Sequence, residues 1–148
     1  MKNGRRFLLA IATPLAIVAC AAPAAAAVIN VVKTATCGCC AKWVEHLKQA
    51  GHNVRVTNVA DLTPTAKRLG VPDDLRSCHT ASVGGYVIEG HVPAADIAKL
   101  LREKPVAAGL SVPGMVAGSP GMEMGGQTPH YQTIIFTRDG KRKVFAQH

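Results

Sequence analysis

The stretch TATCGCCAKWVEHL, residues 34–47, constrains the chain more than any other. It joins a β-branched run, Val28-Ile29-Asn30-Val31-Val32, to a helical pattern over residues 40–50. In that pattern Trp43, Val44, Leu47 and Ala50 share one face, and Gly51 supplies the stop. Thr34 to Thr36 turn the chain, so Cys37, Cys39 and Cys40 fall at a strand-to-helix turn, near a helix N-terminus. Unpaired backbone N–H groups and the helix dipole favour thiolate there. Thiolate both attacks disulfides and binds metals, so position alone serves two chemistries. Cys37-x-x-Cys40 has the spacing of thiol–disulfide exchange. Cys37-x-Cys39-Cys40 holds one thiol more than a redox pair needs and suits a soft metal. A structural disulfide between two of the three fits an oxidising compartment but leaves the third thiol unexplained.

The elements that follow alternate in type. Val54 and Val56 alternate with polar residues, which predicts a strand over 53–57. Thr63 as N-cap and Pro64 in the first turn open a short helix that Gly70 ends. Asp73-Asp74 after Pro72 reads as a helix start rather than a catalytic carboxylate pair. Residues 79–83 and 86–88 flank Gly84-Gly85 as a hairpin. Pro93 opens a helix with Ile97, Leu100 and Leu101 on its buried face. The order β-α-β-α-β-β-α predicts an α/β layered domain with a right-handed βαβ crossover. Residues 105–130 carry four prolines and six glycines and predict a loop with little regular structure, functional or disordered. Ile134-Ile135-Phe136 and Val144-Phe145 around Asp139-Gly140 predict a closing hairpin.

The start of the chain reads as an export signal. Lys2, Arg5 and Arg6 precede an apolar run from Phe7 to Val18, too short to span a bilayer comfortably, and Ala25-Ala26-Ala27 offers a cleavage site before Val28. A buried core helix would not explain the basic start or the Ala-rich exit. This divides the chain into a leader, 1–27, and a single domain, 28–148. A competing cut lies at Ile17-Val18-Ala19-Cys20, a lipobox-like stretch that would lipidate Cys20 and give the only membrane attachment. Either cut places the mature domain outside the cytoplasm.

The net charge of +8 falls to +5 without the three leader cations. Only Lys141-Arg142-Lys143 is clustered, in the predicted hairpin turn, and aromatic residues for base stacking are few. Nucleic acid is therefore not an expected partner.

The mature sulfurs are Cys37, Cys39, Cys40 and Cys78, with Met115, Met122 and Met124, and all three methionines lie in the Gly/Pro-rich loop. Methionine usually fills core gaps. Here it sits on a loop, as packing or as a flap of thioether ligands. Thiolate with thioether selects Cu(I); zinc prefers Cys and His, and the paired Cys motifs of structural zinc sites are missing. Among six histidines, His79 beside Cys78 is the best accessory ligand, ahead of His46 and His91. Hydrolase, phosphate-binding and zinc-protease motifs are absent from the sequence.

Three blocks, CGCCAKWVEHL, GVPDDLRSCHTASVGGYVIEGHVPAADIAKLL and VPGMVAGSPGMEM, strongly resemble the CopG-type family, domain-of-unknown-function family 411. The resemblance covers nearly the whole mature chain. It implies an exported bacterial protein of copper and heavy-metal resistance with a thioredoxin-like fold. It further implies a copper site of Cys37, Cys39, Cys40 and Cys78, with loop methionine (Met115, Met122) and histidine (His79) as accessory groups. Three functions share these residues. The first is a copper oxidoreductase that interconverts Cu(I) and Cu(II), with Cu(I) held singly or in a thiolate-bridged cluster and electrons passed to periplasmic partners. The second is a thiol–disulfide oxidoreductase that uses Cys37 and Cys40, for which the third thiol is an obstacle. The third is a non-enzymatic copper chaperone or buffer.

Overall fold

The computed structural model describes residues 27–123, 125 and 130–148. The leader up to residue 26, the lipobox-like Cys20 and Met124 lie outside the described residues.

Strand β1 (Ile29–Thr34) runs into a two-residue turn and then helix α1 (Gly38–Gln49). The helix buries Cys40, Trp43, Val44 and Leu47. Ala50 is not on that face. It is the exposed C-terminal cap, and Gly51 follows at φ +86°, where a side chain would be strained. Strand β2 (Val54–Val59) then pairs parallel to β1, as the crossover predicts. It is an edge strand, and Val56 is 40% exposed.

Helix α2 (Thr63–Leu69) ends at Gly70 in the left-handed region. Its N-cap is Leu62 rather than Thr63, one residue earlier; the Asp61 carboxylate accepts the Thr63 N–H at 2.8 Å in an Asx-type turn. Asp73–Leu75 form a single 3-10 turn. Strands β3 (His79–Val83) and β4 (Tyr86–Glu89) make the expected hairpin, with Gly84 and Gly85 both at positive φ. Helix α3 (Ala94–Glu103) fully buries Ile97 and Leu100, with Leu101 partly buried.

The loop expectation for 105–130 is corrected at one place. Gly109–Ser111 form strand β5, parallel to β4 and buried throughout. Three residues buried on both faces leave no alternation to read, and Gly109 looks like a breaker. It is there because the Val87 backbone occupies the space a Cβ would need. Strands β6 (Gln132–Phe136) and β7 (Arg142–Gln147) close the chain as a hairpin.

The seven strands form one mixed sheet in the order β2-β1-β3-β4-β5-β6-β7. Neighbouring residues on a strand point to opposite faces. Ile88 and Ile135 join the core that holds Trp43, Leu47, Ile97 and Leu100, while Val87 and Phe136 join a second cluster with Ala66 and Leu75. Thus α1 and α3 cover one face and α2 the other. This is a mixed α/β sandwich of three layers.

Candidate metal centre

Two strand registers converge on one end of the sheet. Lys33 of β1 faces His79 of β3, so the residue before β3, Cys78, lies beside the end of β1 where the cysteine turn begins. Thr80 of β3 faces Glu89 of β4, which sets Cys78 opposite His91 just past the hairpin. The Cys37 N–H closes the turn on the Thr34 carbonyl at 3.2 Å.

Cys37 caps α1, and its Sγ accepts the Cys40 N–H at 3.3 Å. Cys37 and Cys40 are joined by a disulfide, with Cα atoms 5.4 Å apart; Cys39 and Cys78 are free. Cys78 Sγ lies 3.4 Å from Cys40 Sγ and 4.0 Å from Cys39 Sγ, and Cys39 Sγ lies 3.5 Å from Cys37 Sγ. The four sulfurs are all within 4.8 Å of one another. A second group, Cys78, His79 and His91, meets the same limit and shares Cys78.

The imidazoles are fixed by their surroundings. His91 Nδ1 donates to the Pro120 carbonyl at 2.8 Å, which leaves Nε2 as a lone pair 3.1 Å from Cys78 Sγ. His79 is fully buried, with its ring 4.3 Å from Trp43 and 4.9 Å from His91 between centroids. Its Nδ1 is 3.5 Å from Cys78 Sγ, and among the described residues its Nε2 has no hydrogen-bond partner. Burial drives the His79 pKa down to about 3 and lowers that of His91, so both rings are neutral at ordinary pH. Burial, and then the Cys39 thiol, push Cys78 up to about 11. A cation would reverse that, since a coordinated thiol is deprotonated outright.

Trp43 anchors the layer beneath by donating from Nε1 to the Val92 carbonyl at 2.9 Å. Glu89, 1% exposed, accepts the Ser77 N–H on Oε1 at 2.7 Å and so holds the residue before Cys78. Burial raises its pKa.

Residues 112–123 of the Gly/Pro-rich segment form a strap over this end of the sheet, without helix or strand, as the sequence leads one to expect. Gly114 N–H donates to the Arg76 carbonyl at 3.0 Å, and the Ser77 hydroxyl donates to the Gly114 carbonyl. Gly121, at φ +86°, presses on α1; a Cβ there would sit 2.7 Å from Trp43 N and 2.8 Å from the Cys39 carbonyl. Glu123 accepts the Gly121 N–H at 2.9 Å and pairs with His46 Nε2 at 2.7 Å.

Of the residues singled out from sequence, Cys37, Cys39, Cys40, Cys78 and His79 are brought together. Met115 and Met122 ride on the strap, Met115 at 62% exposure and Met122 half-buried. His46 clamps the strap instead of joining the cluster. His91, which the sequence favours less than His79, makes the closer approach to Cys78. A hairpin turning at Gly84-Gly85 pairs positions 78 and 91, and that register is the sequence signal for it. Among the described residues no helix is long and apolar enough to cross a membrane.

A family model described as "Protein of unknown function, DUF411" matches residues 75–122. Two solved structures are similar over most of the chain. "Copper resistance protein copG- Form 2" shares 46% identity at a TM-score of 0.79, covering 83% of this chain and 98% of its own. "Copper resistance protein copG- Form 1" shares 47% identity at a TM-score of 0.78, covering 82% and 96%. No curated protein matches.

Proposed function

This chain belongs to the CopG copper-resistance family, and on that premise we propose that it is an exported copper-handling protein whose substrate is Cu(I). The observation that carries the reading is the gathering of four cysteine sulfurs from two distant segments within 4.8 Å. In the reduced chain Cys37, Cys39, Cys40 and Cys78 are the thiolates, His79 supplies a neutral nitrogen, and Met115 and Met122 supply thioethers from the strap. Soft sulfur donors favour Cu(I), while imidazole also accommodates Cu(II). A donor set of both kinds supports interconversion of the two states, with electrons passed to a partner.

Four thiols shared among several cations suit a bridged cluster, because bridging sulfur spreads its charge. The α1 N-terminus lowers the cost of collecting thiolates at Cys37. The disulfide sets a condition: two electrons must reduce Cys37–Cys40 before all four sulfurs can bind. Strand order β2-β1-β3-β4, with β3 antiparallel to its neighbours, supports a thioredoxin-like core extended by β5, β6 and β7. Export rests on the leader pattern of residues 1–27, with the lipobox-like Cys20 as the alternative anchor and the domain from Val28 working in the periplasm.

An anaerobic Cu(I) titration of the reduced chain against a chromogenic chelator tests this reading. It predicts more than one Cu(I) retained per chain, and none after oxidation of Cys37–Cys40 has removed two ligands from the cluster. Retention of no Cu(I) by the reduced chain would refute it. The second reading, thiol–disulfide exchange through Cys37 and Cys40, is favoured by the disulfide itself, seated at a helix N-terminus. A copper buffer or chaperone shares every ligand with the first and differs only in lacking electron transfer.

A further inference from the structure

The end of the sheet opposite the cysteines is cationic, and the strand registers fix what gathers there. Strand β1 runs from that pole, at Ile29, to the cysteine turn at the other. The Gly84-Gly85 turn, the start of β5 and the β6–β7 turn lie at the same pole as Ile29. Helix α3 descends to it as the crossover from β4 to parallel β5, and the Tyr86 hydroxyl donates to the Pro105 carbonyl just past the helix end at 2.8 Å. Helix α2 ends there too, since Arg138 of the β6–β7 turn comes within 4.0 Å of a Cβ placed on Gly70.

Val106 at this pole is 100% exposed. Arg68, Lys104, Arg138 and Lys143 are exposed around it, and among the described residues none of them forms an ion pair. The acids that adjoin them are already engaged, Glu103 with Arg102 and Asp139 with Lys141. Arg138 joins two clefts. It lines one with Val28, Arg68 and the Gly84-Gly85 turn, and the other with Val106 and Lys141. Unpaired cations around an exposed aliphatic side chain match the headgroup layer of an anionic bilayer, where the charges meet phosphates and the valine enters between them.

We propose that this pole docks on an anionic lipid surface and leaves the cysteine pole facing the aqueous compartment. The point where the chain enters the domain supports it. Val28 lines the first cleft, so the leader joins at the basic pole. A lipid on Cys20 would leave residues 21–27 as a tether of at most about 25 Å, which brings this pole to the bilayer. Cleavage before Val28 would instead add an α-amino cation to the same cleft. No sulfur takes part, so the docking stands or falls apart from the copper reading.

The test is cosedimentation of the processed, exported protein with vesicles of phosphatidylcholine alone and of phosphatidylcholine with phosphatidylglycerol. The readout is the difference between the two, because an acyl chain alone enters both. Tighter retention by the anionic vesicles is expected, and it should vanish at about 1 M salt, where screening acts within about 3 Å. Each cation near such a surface contributes roughly fivefold, so Arg138→Gln should lose about that and Arg68→Gln with Arg138→Gln on the order of 30-fold. Both arginines are exposed, so the fold should be kept, as far-UV circular dichroism checks. Lys42→Gln, an equal charge change on the first turns of α1 at the cysteine pole, should change little. Equal retention by the two vesicle types, or equal losses in Arg138→Gln and Lys42→Gln, overturns the proposal. Retention on immobilised polyglutamate with none on anionic vesicles overturns it equally and assigns the pole to an acidic protein partner.

Discussion

Cys78 and His91 face each other across the open end of the β3–β4 hairpin, with Sγ 3.1 Å from Nε2. Nδ1 of the same ring is committed to the Pro120 carbonyl on the strap. One imidazole thus ties the Cys78 thiol to the segment that covers it. An outer partner that orients a ligand commonly contributes 10- to 100-fold to metal affinity. His91→Gln is expected to weaken Cu(I) binding by about that factor while leaving the fold intact. Chelator competition and far-UV circular dichroism on the same sample check both halves.

Gly121 is the tightest point of the strap. Its φ of +86° and the two α1 backbone atoms within 2.8 Å of an added Cβ make Gly121→Ala costly, by about 1–3 kcal/mol. Among the described residues nothing lies within 4 Å of a Cβ added at the exposed Gly125, so Gly125→Ala should be nearly silent. Urea unfolding of the two variants makes the comparison, and equal midpoints would dissociate the strap from α1.

His79 sets an acid limb to stability. The unfolded ring titrates near 6.5 and the folded ring near 3, chiefly because burial disfavours the cation. Between those values the unfolded chain binds the extra proton, so stability falls as pH falls through this window. The loss from this residue is on the order of 3 kcal/mol by about pH 4. In His79→Gln the urea midpoint should depend less on pH across the same range. An unchanged slope would mean that other groups carry the limb.

Strand-to-helix turns were legible because each apolar run was bounded by glycine or proline with a clear period. The cysteine turn, both hairpins and the faces of α1 and α3 were read on that basis, with Ala50 misplaced because the helix ended one residue sooner. Strand β5 was hidden by its brevity and by Gly109, whose absent side chain answers a tertiary contact that no local pattern announces. Likewise the strap's order comes from Arg76, Ser77, His91 and His46, all distant in sequence. The cysteine group was visible in composition; the second group around Cys78 needed the hairpin register carried two residues beyond its ends.

Met115 and Met122 distinguish binding from packing. Met115 is 62% exposed, so its removal should cost little in stability. The double variant Met115→Leu, Met122→Leu is expected to keep the wild-type unfolding free energy, read by urea titration, within about 0.5 kcal/mol and to hold Cu(I) several-fold more weakly. Equal affinity would assign both side chains to packing alone.

We propose that Cys78 completes the site that Cys37, Cys39 and Cys40 begin. Anaerobic Cu(I) competition titrations of the reduced wild-type chain and Cys78→Ser, run side by side, decide the matter. Fewer Cu(I) ions per chain and weaker retention are expected in the variant. Identical stoichiometry and affinity in the two proteins would place Cys78 outside the site.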